Sequence, residues 1–325
     1  MSGVPTKILI IKPSALGDVV QALPVACGLK KRWPNSPVHW IINENFQELL
    51  SRHPCIDKVI PYPRERWTLP GSLGEMWRWA QALAAERYDL VIDLQGLARS
   101  GIMARATKSP RRLGLHSARE GARLAYTEII HDYPLAACER YLCALSHLGI
   151  TGRADDFQLR ATQQPPCELV AKPYLVFHPY SRWQTKLWPW RHYERLAALL
   201  PEYTCAVVGH GPWFPIPGIN IADLRGKMPL GELMAILQHA RAVVSMDSGP
   251  AHLAAALGTP TLVLFGATDS RKTAPASPKV KVAQHPVACS PCLKRVCHHT
   301  EKMACMTGIT VESVQDQLIK LIATH

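Results

Sequence analysis

An apolar run, Val243-Val-Ser-Met246, ends in Asp247-Ser248-Gly249-Pro250 and passes into an alanine-rich stretch; a second apolar run, Thr261–Phe265, follows Gly258-Thr259-Pro260. That order reads as strand, tight turn, helix, strand. The turn sets Asp247, Ser248 and the next backbone N–H groups at a helix N-terminus, where unsatisfied donors and the helix dipole favour an anion such as a phosphate. Pro250 suits the first helical turn because its missing N–H would have had no partner there. The same residues also describe a well-capped crossover with no ligand.

Two further loops carry chemistry. The first strand ends in Lys12-Pro-Ser14-Ala-Leu-Gly17-Asp18. Gly17 permits close backbone approach, and Asp18 is placed either to take a proton from a hydroxyl or simply to cap the helix that follows. In the second half, His178-Pro-Tyr-Ser181-Arg182-Trp-Gln-Thr185-Lys186-Leu-Trp-Pro189 offers hydroxyl and cationic donors just before a helix, a composition suited to a diphosphate. With no acidic cluster of the kind that binds Mg²⁺, side chains and helix ends are expected to neutralise such a ligand.

Arg64-Glu-Arg66-Trp67 through Trp77-Arg78-Trp79 interleaves cations with large aromatics. It reads either as a face for an anionic amphiphile at a membrane or as a helix with buried tryptophans. Cys289-x2-Cys292-x4-Cys297-x7-Cys305 concentrates four thiols in a short segment, with His298 and His299 beside them. A structural zinc or iron site and a set of free or redox-active thiols are both open. No dinucleotide Gly-x-Gly-x-x-Gly, Walker A loop, Ser nucleophile elbow or His-Glu-x-x-His is present.

Positioning these loops requires two α/β domains, which 325 residues with 47% hydrophobic content can supply. Strands are expected at residues 7–12, 38–43, 58–62, 89–94, 112–115 and 127–131, with helices at 19–32, 47–51, 73–86, 97–107 and 135–148. Polar and turn-forming residues in 149–173 mark a linker. The alternation restarts with strands at 174–178 and 204–209 and helices near 190–200 and 230–240, before the βαβ unit described first. The fold expected is α/β, two Rossmann-like doubly wound domains facing a central cleft, with ligands beyond the carboxyl ends of the strands. The division expected is 1–160 and 161–325, the last helix free to pack back on the N-terminal domain.

The formal charge of +12 asks for anionic partners, but no long Lys/Arg run or nucleic-acid motif occurs, so nucleic acid is not expected among them. No signal peptide or long apolar span is apparent, and the thiols suggest a reducing compartment; the expectation is a cytoplasmic protein.

Taken together, Ile11-Lys-Pro-Ser-Ala-Leu-Gly-Asp18, Tyr88-Asp-Leu-Val-Ile-Asp93-Leu-Gln-Gly-Leu97, Lys186-Leu-Trp-Pro189, Asp223-Leu-Arg-Gly226 and Asp247-Ser-Gly-Pro-Ala-His252 through Asp269 resemble glycosyltransferase family 9, the bacterial ADP-heptose:lipopolysaccharide heptosyltransferases. Ser117-Ala-Arg119-Glu120 is more similar to the branch that adds the first heptose to Kdo on lipid A. The resemblance implies a GT-B fold, an ADP-heptose donor in the C-terminal domain, a Kdo-containing lipid A acceptor and peripheral association with the cytoplasmic face of the inner membrane. It implies inversion without a catalytic metal, leaving zinc or iron at Cys289, Cys292, Cys297 and Cys305 a structural matter. Asp18 would be the general base. Lys186, Ser181, Thr185, Asp247, Ser248, Gly249 and His252 would bind the donor, and Ser14, Gly17, Arg64, Arg66 and Arg119 the acceptor.

Two features depart from the family pattern. Gly209-His-Gly-Pro stands where an acidic residue usually contacts the nucleoside, and the cysteine cluster is absent from the first-heptose enzyme of enteric bacteria. Relatives using another sugar nucleotide or a protein acceptor, and a metal-binding module on a Rossmann scaffold, are the alternatives.

Overall fold

The computed structural model describes residues 3–68, 71–132, 136–212, 214–215, 217–226 and 228–325. The chain divides into two compact units, Met1–Gln158 and Leu159–His325.

In the first unit, β1 (Ile8–Ile11), β2 (Val38–Asn43), β3 (Lys58–Tyr62), β4 (Leu90–Asp93), β5 (Arg111–Leu115) and β6 (Glu128–Ile130) form one sheet in the order β3-β2-β1-β4-β5-β6. Every adjacent pair is parallel. The central strands are buried on both faces, as a parallel sheet covered by crossover helices requires. Those helices are α1 (Leu16–Arg32), α2 (Leu73–Ala85), α3 (Ala98–Ala106) and α4 (Ala137–His147). Gly28 allows α4 against α1, since a Cβ there would lie 2.3 Å from Leu145 Cδ1.

The second unit repeats the plan. A short α5 (Cys167–Val170) leads into β7 (Tyr174–His178), α6 (Trp190–Ala198), β8 (Thr204–Val207), β9 (Ile221–Asp223), α7 (Leu230–His239), β10 (Ala242–Met246), α8 (Gly249–Ala256), β11 (Thr261–Phe265), α9 (Ser270–Thr273), β12 (Val280–Gln284), α10 (Ala304–Thr307) and α11 (Val311–Thr324). The sheet order is β12-β11-β10-β7-β8-β9, again all parallel. Counted from its own first strand, each unit has the doubly wound order 3-2-1-4-5-6. The order reverses between β1 and β4 in one and between β7 and β10 in the other.

The expected strands are present within a residue or two, as is the βαβ unit around Asp247. Two differences have physical causes. Residues 44–49 form a 3₁₀ turn in place of the helix expected at 47–51, because the Asn43 side chain accepts from Asn45 N–H at 3.0 Å and tightens the turn. Helix α1 starts at Leu16, three residues early, because Asp18 at its third position accepts from the Ala15 N–H that Ala15 itself cannot cap. Leu135, expected at the start of a helix, lies outside the described residues. Finally, α11 lays Val311, Val314, Leu318, Leu321 and Ile322 into the core of the second unit.

Candidate active site

The carboxyl end of β10 delivers Asp247, and the loop after β7 delivers Lys186. Lys186 Nζ lies 2.6 Å from Asp247 Oδ2, both side chains largely buried, with Thr268 Oγ1 donating to the same oxygen at 2.7 Å. Thr273 Oγ1 approaches it at 3.5 Å. The ammonium also stands 4.9 Å from the Trp183 ring centroid, which Arg295 approaches at 5.5 Å. A cation is thus held at the switch point, oriented by one carboxylate that is itself fixed by hydroxyl groups.

Helix α8 begins beside this pair. Ser248 is its extended N-cap residue, Gly249 its first residue, and Pro250 lies in the first turn. The Ser248 and Ser245 hydroxyls both donate to Met246 O, at 3.1 and 2.9 Å. His178 Nδ1 is 3.2 Å from Ser248 Oγ and 3.4 Å from Ser245 Oγ. With the hydroxyl protons on the carbonyl, a neutral ring protonated on Nδ1 donates to these oxygens. Burial pushes His178 down to about 4, so it is neutral at physiological pH. Gly209, at φ +115°, abuts this ring: a Cβ would come within 2.7 Å of Tyr180 and 2.9 Å of His178. Gly226 N–H donates to Gly209 O at 3.0 Å, and Arg225, paired with Asp223, donates to Phe214 O at 2.7 Å. The loops beyond β7, β8, β9 and β10 therefore brace one another.

Ser181 is half-buried in the same loop, whereas Thr185 is buried and donates to Lys294 O at 2.7 Å, tying the loop to the cysteine-rich segment. His252 is buried within α8.

In the first unit, Asp18 stands in the first turn of α1, after the β1 loop. Its Oδ2 accepts from Ala15 N–H at 3.3 Å and its Oδ1 from Tyr141 Oη at 3.1 Å. Lys12, only 3% exposed, places its ammonium 4.9 Å from the Tyr141 ring centroid. Burial lowers its basicity, while the Asp18 and Asp93 charges act the other way. Asp93, fully buried at the end of β4, accepts from Gln95 N–H at 2.8 Å, Gly96 N–H at 3.1 Å and Tyr126 Oη at 2.7 Å. Desolvation raises its carboxyl above the usual range. The loop so fixed carries Gln95, whose Oε1 accepts from Ser14 N–H at 3.3 Å.

Pro13, Ser14, Asn43, Tyr62, Arg64, Gln95, Leu97 and Arg99 line a pocket of about 120 Å³ at the carboxyl ends of β1 to β4. Arg64 is exposed at its edge; Arg66 pairs with Glu44 at 3.3 Å and Glu75 at 3.7 Å. Exposed Arg119 is anchored through its backbone, its N–H donating to Gly96 O at 2.8 Å. Gly17 is the second residue of α1, one before Asp18. The aromatic segment divides: Trp67 and Trp79 pack edge-to-face beside Tyr62, while Leu73, Met76 and Trp77 face outward on α2, Trp77 at 49% exposure.

Cys289, Cys292, Cys297 and Cys305 all border one cavity of about 10 Å³, the size of a single water-sized sphere. Burial and then the neighbouring thiols push Cys305 up; the Met303 and His299 N–H groups draw Cys297 down. Among the described residues no group of three or more His, Cys, Asp or Glu is disposed to hold a metal ion.

Tyr141, Lys12, His178, Gln95, Asn43 and Arg99 were not among the sequence-based site residues. Gln95 lies inside a motif already singled out; Tyr141 sits 123 residues from Asp18, and no local pattern links the two.

Two doubly wound parallel sheets, each with polar residues gathered at its switch point, are the GT-B architecture. A family model described as glycosyltransferase family 9 (heptosyltransferase) matches residues 76–303, and the chain belongs to that family. It is 32% identical to lipopolysaccharide heptosyltransferase 1 of Pseudomonas aeruginosa, over 96% of this chain and 97% of that protein. Identity to the Escherichia coli K12 protein of the same name is 29%, over 81% and 88%. Among solved structures, E. coli heptosyltransferase WaaC with ADP-2-deoxy-2-fluoro heptose superposes with a TM-score of 0.74 at 25% identity, covering 96% of this chain and 99% of that one. E. coli ADP-heptose lps heptosyltransferase II gives 0.77 at 23% identity, covering 98% and 99%.

Proposed function

We propose that this chain transfers heptose from ADP-heptose to the lipopolysaccharide inner core, on Kdo-lipid A or its heptosylated form, with inversion at the anomeric carbon. The observation that carries the reading is the Lys186–Asp247 pair at the β7/β10 switch point of a family 9 chain. Lys186 and the N-terminus of α8, with Ser181, Ser248 and Gly249 beside it, meet the donor diphosphate and the charge that grows on ADP as it leaves. Asp247 orients the ammonium. The buried His178 ring anchors Ser248 and supports the start of α8.

Asp18 takes the proton of the acceptor hydroxyl as its oxygen attacks the heptose carbon, and the bond to the ADP oxygen breaks. Arg64, Arg66, Arg99 and Arg119 suit the carboxylates and phosphates of a Kdo-lipid A acceptor. Protein groups, and not a divalent ion, meet the leaving diphosphate in this account, so transfer should persist in EDTA.

The acceptor's lipid requires a membrane surface, and we place the enzyme peripherally on the cytoplasmic face of the inner membrane. The outward Leu73, Met76 and Trp77, with Arg78 beside them, support that placement. Among the described residues no helix is long and apolar enough to cross a membrane. The four cysteines line one small cavity and offer sulfur donors of the kind that would hold a structural zinc or iron ion. Elemental analysis of the purified protein should find one equivalent, lost in Cys292→Ser; metal-free protein of full stability would remove this part of the reading.

Mass spectrometry of products from ADP- and UDP-sugars offered with Kdo-lipid A tests the reaction. A single heptosyl addition from ADP-heptose is expected. Preference for another sugar nucleotide, or no transfer to any lipid A acceptor, would replace the substrate assignment.

A further inference from the structure

Each oxygen of the Asp18 carboxylate has a fixed donor: the backbone N–H of Ala15 for Oδ2 and the phenol of Tyr141 for Oδ1. The first donor belongs to the helix turn. The second comes from a different helix, α4, through a side chain only 1% exposed. Tyr141 is held from three directions. Lys12 from the end of β1 stands over its ring, Arg140 from its own helix lies 5.6 Å from the ring centroid, and α4 is pressed to α1 where Leu145, one turn on, fills the space left by Gly28. Burial, then the Asp18 charge, hold the phenol well above its usual pKa, so it stays a donor throughout the working pH range.

Resting on the reading of Asp18 as the base, we infer that Tyr141 is its positioning residue, holding the carboxylate in the one orientation from which it meets the acceptor hydroxyl. A hydrogen bond to a carboxylate favours its charged form, and a carboxylate held by two donors has few rotamers left. The phenol keeps its proton and donates it as a hydrogen bond to Asp18 Oδ1, so it positions the carboxylate and does not itself take the acceptor proton. The charged groups facing this assembly are Lys12 from β1, Asp93 from β4, Arg140 from α4 and Asp18 from α1.

The test compares steady-state transfer by wild type, Asp18→Asn and Tyr141→Phe across pH, with thermal unfolding of each. Tyr141→Phe should lower kcat about tenfold, leave KM for donor and acceptor within about twofold, and move the acid limb of the kcat profile to higher pH. Site-specific 3-fluorotyrosine at 141, a stronger donor of nearly the same shape, should move that limb the opposite way. Asp18→Asn separates the two layers of the claim. If it transfers near the normal rate, the base reading falls and this inference with it. If it is inactive while Tyr141→Phe and the fluorotyrosine protein keep the wild-type limb, whatever their rate, the positioning role alone is overturned.

Discussion

Lys186 Nζ and Asp247 Oδ2 lie 2.6 Å apart, although 61 residues separate them in the chain. Removing either partner strands the other. Lys186→Met removes a charge that meets the diphosphate, should weaken donor binding and slow transfer by about a hundredfold together, and leaves the buried Asp247 carboxylate with hydroxyl donors only, at a cost of about 3 kcal/mol. Asp247→Ala leaves an ammonium buried without its counterion and should cost about 3 kcal/mol in urea unfolding as well as activity. Small effects of the two changes on stability would show that the pair is not a desolvated one.

His178 makes the second unit sensitive to acid. The unfolded chain takes up a proton near the ordinary histidine value of about 6.5, whereas the buried ring resists one until about 4. Between those values the unfolded state binds more protons, so stability falls as pH drops through that window, by on the order of 3 kcal/mol in all, and is unaffected above it. Urea midpoints should therefore decline from about pH 6.5 toward 4, and His178→Gln should flatten that part of the curve. An equal slope in the variant would assign the acid sensitivity elsewhere.

Asp93 is structural by geometry: it has no exposed surface and three donors converge on it. Asp93→Ala strands two backbone N–H groups and the Tyr126 phenol, and should destabilise the first unit by about 3 kcal/mol or more. Tyr126→Phe should cost less, since it removes one donor of three.

The outward face of α2 predicts a membrane phenotype separable from chemistry. Trp77→Ser with Leu73→Ser should reduce sedimentation with anionic vesicles severalfold, while transfer to a short, detergent-soluble acceptor stays normal. Unchanged vesicle binding would move the membrane contact to another surface.

The central strands of both sheets were legible because burial on two faces writes a continuous apolar run, as in Ile8-Leu-Ile-Ile11 and Ala242-Val-Val-Ser-Met246. The edge strands of the second sheet were not. β9 has three residues, and β12 alternates Val280, Lys281, Val282, signals too short or too polar to separate from loop. The start of α1 was hidden for another reason: alanine is a poor cap, and the residue that serves lies three positions inside. Asp18 and Asp247 could be singled out as candidates because each sits in a local strand–turn–helix pattern. Tyr141 and the Lys186–Asp247 pairing could not, since only the folded topology brings them together.

The central claim is that the Asp18 carboxylate removes the acceptor proton. Single-turnover transfer by Asp18→Asn, measured alongside ADP-heptose affinity, tests it most directly. The account predicts at least about a thousandfold loss of rate with donor affinity within about twofold of wild type, because a base acts on the transition state and not on donor binding. Transfer within about tenfold of wild type would contradict it.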